Sequence, residues 1–208
     1  MQENNIINLS GVLDNQINVS HKIYNETFYK FDMKVKRLSE TFDILPVTIS
    51  ERLVEKEFLE PGKKLNINGQ IRSYNNYNVE TGKTKLILTV FAKQINFESE
   101  SENPNQVFLN GYICKAPIYR TTPFGREIAD ILLAVNRSHN KSDYIPCIAW
   151  GRNAKFARQL NISDNVKVEG RMQSRAYQKK LASGEILNKI AYEMSISKIE
   201  LCSNNKLE

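Results

Sequence analysis

The amino-acid sequence predicts an all-β protein made of two tandem five-stranded barrels, each with one helix between its third and fourth strands. Three observations carry this reading. The chain repeats itself at a spacing of about 100 residues. Five segments in each copy alternate apolar and polar residues, as half-buried strands do. One stretch per copy reads as helix instead.

The repeat is seen by sliding the chain on itself. At an offset of 100, Asn5 falls on Asn105, Leu9 on Leu109, Gly11 on Gly111, Val35 on Val135, Arg37 on Arg137, Asp43 on Asp143 and Pro46 on Pro146. One inserted residue brings NGQIRS, residues 68–73, over EGRMQS, residues 169–174, and one more brings Gly82 over Gly184. The matches keep their order, so the expected organisation is a first unit over 1–97, a polar linker over 98–106 (ESESENPNQ) and a second unit over 107–202.

In the first copy the strands are INLSGVL, TFYKFDMKVKR, ILPVTIS, KLNINGQIRS and KLILTVFAKQINF, and the helix is SERLVEKEFL. In the second, VFLNGYIC bends at Gly111, and REIADILLAVNR follows a turn at Pro123-Phe124-Gly125. YIPCIAW is the third strand, whose Pro146 argues for an edge or a bulge. NAKFARQL spaces Ala154, Phe156, Ala157 and Leu160 as a helix does; VKVEGRMQS and KIAYEMSISKIEL complete the set, with residues 177–188 as the loop between them. Five strands and one helix in this order match the oligonucleotide/oligosaccharide-binding (OB) barrel.

Over roughly residues 105–201 the second copy resembles the bacterial single-stranded DNA-binding protein family. The resemblance rests on NQVFLNGYICKAPIYRTTPFGREIADILLAVNR, then SDYIPCIAWGRNAKFARQL, then VKVEGRMQSRAYQ, in that order and spacing. The first copy matches the family weakly, through Gly11, Arg37, Pro46 and Gly69. The resemblance implies sequence-independent binding of single-stranded DNA in replication, recombination or repair, a cytoplasmic, nucleoid-associated location, and four barrels per assembly. For a two-barrel chain that means a homodimer. The family usually ends in an acidic-hydrophobic tip that recruits replication and repair enzymes; the sequence given ends in CSNNKLE, so that recruitment is not expected of it. An RNA-binding or primosome-type OB protein and a structural protein-interaction adaptor are the alternatives.

Charge agrees with a polyanionic partner. Residues 1–100 hold 13 basic and 13 acidic side chains, whereas 101–208 hold 16 and 10, so the net +6 belongs to the second half. Three scattered cysteines, Cys114, Cys147 and Cys202, fit neither a disulfide framework nor a zinc site. No phosphate-binding glycine motif and no membrane-spanning run is present; no cofactor, metal or catalytic activity is expected.

Unpaired DNA offers flat bases and phosphates, so a binder needs exposed rings along a basic groove. The one tryptophan, Trp150, ends the third strand beside Gly151 and Arg152, and the resemblance assigns it a stacking role. Tyr144 lies six residues earlier, hence on the same face of an unbroken strand; the resemblance also places stacking positions at Tyr144, at Tyr177 and near His139. Phe124 and Tyr119 offer further rings. The phosphate-binding candidates are Arg126, Arg137, Arg152, Arg171, Arg175, Lys179 and Lys180, with Arg120 and Lys141 beside them. Arg171, Arg175 and Tyr177 share a parity. In the first copy Ser50 stands in place of Trp150, Ile44 of Tyr144 and Asn76 of Tyr177, which predicts a degenerate barrel used for assembly, with Tyr74 and Tyr77 retaining some stacking.

Overall fold

Alternation of buried and exposed residues along most segments commits this chain to strands. The computed structural model describes residues 4–37, 39–79, 82–97, 105–180 and 184–202. The N-terminal half contains β1 (Asn5–Leu13), β2 (Asn18–Ile23), β3 (Glu26–Lys36), β4 (Phe42–Ser50), β5 (Lys64–Asn78) and β6 (Lys83–Asn96). The C-terminal half contains β7 (Asn105–Ile113), β8 (Ile118–Thr121), β9 (Glu127–Arg137), β10 (Lys141–Trp150), helix α1 (Arg152–Ala157), β11 (Asn165–Lys180) and β12 (Ile186–Leu201).

The twelve strands form one hydrogen-bonded sheet, in the order β2-β3-β4-β6-β5-β1-β7-β11-β12-β10-β9-β8. In each half the sheet curls until its first and third strands meet. Val12 and Leu13 of β1 pair with Lys34 and Met33 of β3, and Tyr112 and Ile113 of β7 pair with Ala134 and Leu133 of β9. Two residue pairs complete each circuit, as in a partly open OB barrel. Parallel contacts, β4 with β6 and β10 with β12, complete the Greek-key arrangement. Inside lie Leu13, Met33, Leu45, Ile49 and Ile71 in one half, and Leu109, Ile113, Leu133, Ile145 and Met172 in the other.

Two repeated glycines permit the sharp curl. Gly69 and Gly170 sit at register shifts in the β5–β6 and β11–β12 ladders, and a Cβ added at Gly170 would collide with the Ser195 carbonyl oxygen.

The structure corrects several expectations. Among the described residues each half has six strands, because β2 and β8 add an edge hairpin arm; β2 is exposed along its whole length and lacks the alternation that announces a half-buried strand. The first-copy helix is reduced to one 3-10 turn, Lys56–Phe58. Its buried residues, Val54 and Leu59, are five apart, which one α-helix would place on different faces. The second-copy helix forms, burying Ala154 and Ala157.

Pro146 introduces no bulge: the β9–β10 register is unbroken from Lys141 to Trp150, and β12 pairs with β10 only at Cys147 and Ile148, clear of the missing N–H. The loop expected over 177–188 is mostly ladder, with Tyr177 opposite Lys189 and Lys180 opposite Ile186. Of the expected linker, Asn105 and Gln106 belong to β7, and 98–104 lie outside the described residues.

The halves are joined about a pseudo-twofold axis. β1 and β7 pair antiparallel around Ile7 and Val107, so that Asn5 faces Leu109 while Leu9 faces Asn105. Two buried aspartates, each with a side chain 1% exposed, reach across. Asp43 accepts from the Ser174 backbone N–H (2.7 Å), the Ser174 hydroxyl (3.0 Å) and Arg37 (2.8 Å). Asp143 accepts from the Ser73 backbone N–H (2.8 Å), Arg72 (3.1 Å) and Arg137 (3.5 Å). The side-chain amides of Asn5 and Asn105 each bind both backbone groups of Ile71 and Met172, respectively. The repeated Asp and Ser positions, with Arg37, therefore fasten the two copies, whereas the repeated Asn positions brace each copy internally.

Candidate nucleic-acid interface

The outer face of β10, β12 and β11 gathers most of the residues that the sequence singles out. Ser195 of β12 pairs with Ile148 of β10 on one side and Arg171 of β11 on the other. Side chains of the same parity as these three point outward together. On β10 they include Tyr144 and Trp150, which are 40% and 37% exposed; on β11 they are Arg171, Arg175, Tyr177 and Lys179. Along β10 the two rings are roughly 20 Å apart, room for several nucleotides.

Trp150 is uncovered because its strand ends there. Gly151 takes φ +52°, a left-handed conformation that turns the chain into α1, and its N–H donates to the Glu127 carbonyl (2.9 Å). Beside this turn Glu127 accepts from the Tyr119 hydroxyl (2.6 Å) and pairs with Lys155 (3.0 Å). These bonds, Tyr119's first, lower the Glu127 pKa, and the same acid raises that of Tyr119. Arg158 lies 5.2 Å over the Tyr119 ring, so Tyr119 is engaged locally.

Tyr177 carries the Arg175 guanidinium 5.9 Å above its ring, as the shared parity predicts. Arg175 is also held by Glu193 at 3.2 and 3.4 Å, and that hydrogen bond is the main cause of its raised pKa. Glu193, nearly buried and bonded also to Gln173 (2.8 Å), places a carboxylate on this face that the sequence reading missed. It stands 18 residues from Arg175, and only the β11–β12 register brings the two together.

The remaining candidates divide. Arg126 immediately precedes β9, near the Trp150 end of β10, and Arg152 opens α1. Among the described residues, Arg126, Arg152, Arg171, Lys179 and Lys180 form no salt bridge. Lys180 has the opposite parity to Lys179. Arg137 is held at Asp143 in the junction and Arg120 at Asp130 (2.8 Å). His139 sits on an exposed turn with φ +62°, and Phe124, 92% exposed, tips the β8–β9 hairpin.

Exposed rings are not confined to this half. Tyr24, Phe42, Phe58, Tyr74 and Tyr77 are all exposed in the N-terminal half, and Tyr24 occupies the hairpin position that Phe124 holds in the other. Among the described residues no cluster of His, Cys, Asp and Glu is arranged to hold a metal ion, and no helix is long and apolar enough to cross a membrane.

Comparisons with known proteins bear on the family and the fold. The single-strand binding protein family matches residues 104–201. Single-stranded DNA-binding protein 1 of Staphylococcus aureus (strain COL) is 38% identical over 81 residues, 36% of this chain and 48% of its own length. Single-stranded DNA-binding protein B of Bacillus subtilis (strain 168) is 37% identical over 81 residues, covering 72% of that protein. The chain thus spans about half the length of the first of these relatives. The crystal structure of the wild-type single-stranded DNA binding protein from Thermus aquaticus superposes with a TM-score of 0.72 at 18% identity, covering 98% of this chain and 95% of that one. That likeness extends the shared fold across both halves.

Proposed function

The chain belongs to the single-strand binding protein family, and from that premise we propose that it binds single-stranded DNA without sequence preference and protects it during replication, recombination or repair. The observation that carries this reading is the outward face shared by Trp150, Tyr144, Tyr177, Arg171 and Arg175. Trp150 and Tyr144 stack bases, Tyr177 stacks another under Arg175, and Arg171, Arg126, Arg152, Lys179 and Lys180 meet phosphates. Duplex DNA, whose bases are already stacked, offers these rings nothing.

The protein acts by binding and not by catalysis. The C-terminal half, residues 107–202, is the main binding unit, the N-terminal half, 1–97, serves assembly, and two chains supply four barrels as a homodimer. Its place is the cytoplasm, where single strands are exposed.

Titration of dT, dA and RNA oligomers against Trp150 emission tests the reading. Strong quenching by dT and dA, weak response to duplex and weaker binding at higher salt are expected. Measured by fluorescence anisotropy of a labelled oligomer, Trp150→Ala should cost about 1–3 kcal/mol of affinity, and Arg171→Ala should weaken binding and make the salt slope shallower by about 0.7. Unchanged affinity in both variants would overturn the assignment of this face.

A further inference from the structure

The face that carries the rings also carries a carboxylate, which repels the phosphates such a face would meet. Glu193 belongs to β12, which lies between β11 and β10 in the sheet. It has the parity of Ser195, so its side chain stands on the outward face. Tyr144 and Trp150 lie on the strand to one side of it, Arg175 and Tyr177 on the strand to the other.

One oxygen, Oε1, accepts from the Gln173 amide (2.8 Å) and from Arg175 Nε (3.2 Å), and Oε2 accepts from Arg175 Nη2 (3.4 Å). One edge of the guanidinium is thereby committed to the carboxylate, while its centre lies 5.9 Å over the Tyr177 ring. The acid is 10% exposed and the Arg175 side chain 51%, so the guanidinium is open to a ligand and the carboxylate sits behind it.

The other half of the molecule shows that the barrel does not require this acid. In the β5–β6 ladder Arg72 pairs with Thr89, as Gln173 pairs with Glu193 in β11–β12. Thr89, also buried, bonds to the Thr48 hydroxyl at 2.8 Å. Tyr74 stands at the place of Arg175, and Asn76 and Ser50 replace Tyr177 and Trp150. The carboxylate goes with the stacking rings.

We propose that Glu193 is a selectivity residue: it holds Arg175 over Tyr177 for a base and withholds it from a phosphate. This role presupposes the Trp150 face as the binding surface and determines what that face rejects. A base brings no charge and meets ring and guanidinium through its π face, which Glu193 does not oppose. A phosphate has to approach a guanidinium already neutralised, with a fixed carboxylate behind it. A strand with bases is thus favoured over a bare polyanion.

Fluorescence anisotropy of two labelled oligomers of equal length, oligo-dT and its abasic counterpart, tests this over a range of salt. The unaltered protein should bind dT more tightly. Glu193→Gln keeps an acceptor for Gln173 and Arg175 but removes the charge. It should strengthen abasic binding about tenfold, steepen the abasic salt slope by about 0.7 and narrow the preference for dT. A damaged fold loses affinity, so a gain reports the charge itself. Arg175→Lys keeps the charge and removes the plane; dT binding should weaken with an unchanged salt slope. An unchanged preference for dT in Glu193→Gln, or undiminished dT binding by Arg175→Lys, would overturn the role. In either case the Trp150 face stands if dT still quenches its emission. Equal binding of dT and abasic oligomers by the unaltered protein would overturn the face itself, and the role of Glu193 with it.

Discussion

Asp43 and Asp143 show how much a single side chain can carry in this protein. Each is buried and satisfied by a backbone N–H from the opposite half together with arginine. Removing a buried, hydrogen-bonded charge typically costs about 3–5 kcal/mol, because its partners stay buried without it. The two sites should differ. Asp43→Asn strands one guanidinium, Arg37, whereas Asp143→Asn leaves Arg72 and Arg137 facing each other. Urea unfolding should therefore show a loss in both variants and the larger one in Asp143→Asn. A second residue-scale expectation concerns the thiols. Burial, and then the charge of Glu193, push the Cys147 pKa far up, so its thiolate does not form in the fold. Cys114 and Cys202 are half-exposed. A thiol-specific reagent at mildly alkaline pH should label those two in the native protein and Cys147 only after unfolding.

At the scale of elements, the long hairpins do work that loops were expected to do. β5–β6 and β11–β12 continue past their glycine bulges, and each sends a serine, Ser73 or Ser174, across to the other half. The bulge is thus both the bend of the barrel and the pivot that aims the hairpin. Gly170→Ala would press a Cβ on the Ser195 carbonyl oxygen, and the strand has no slack to yield, since Arg171 and Met172 are held in register with Ser195 and Met194. A destabilisation of about 2 kcal/mol or more, read as a lowered thermal midpoint, is expected. Affinity should fall with it, because Arg171, Arg175 and Tyr177 follow the bulge on the same strand.

For the whole molecule, the distribution of charge matters more than its sum. The net +6 is concentrated in the second half, yet Arg175, Arg120 and Arg137 there are already engaged by carboxylates. Among the described residues, the candidates without a carboxylate partner include Arg126, Lys141, Arg152, Arg171, Lys179 and Lys180. Each phosphate neutralised on a single strand contributes about −0.7 to the slope of log affinity against log salt. A slope of roughly −2 to −4 from the titration is the expected outcome. A slope near zero would mean that the basic residues serve solubility alone.

Local residue chemistry by itself determined the five principal strands of each half, their inward faces, the two-unit organisation and the rings that stand outward. Alternation is a property of the backbone, and the parity of Tyr144 and Trp150 survives Pro146 because the proline falls where β12 does not pair. Only the tertiary structure decided what those residues meet. It brought Glu193 onto Arg175, turned the repeated Asp and Ser positions into the junction, and set Phe28, Phe91 and His21 in one array. It also shortened the first helix and added β2, an exposed strand without alternation. The physical reason is that neighbours across a sheet depend on strand order and register, and hydrogen bonds far along the chain fix both.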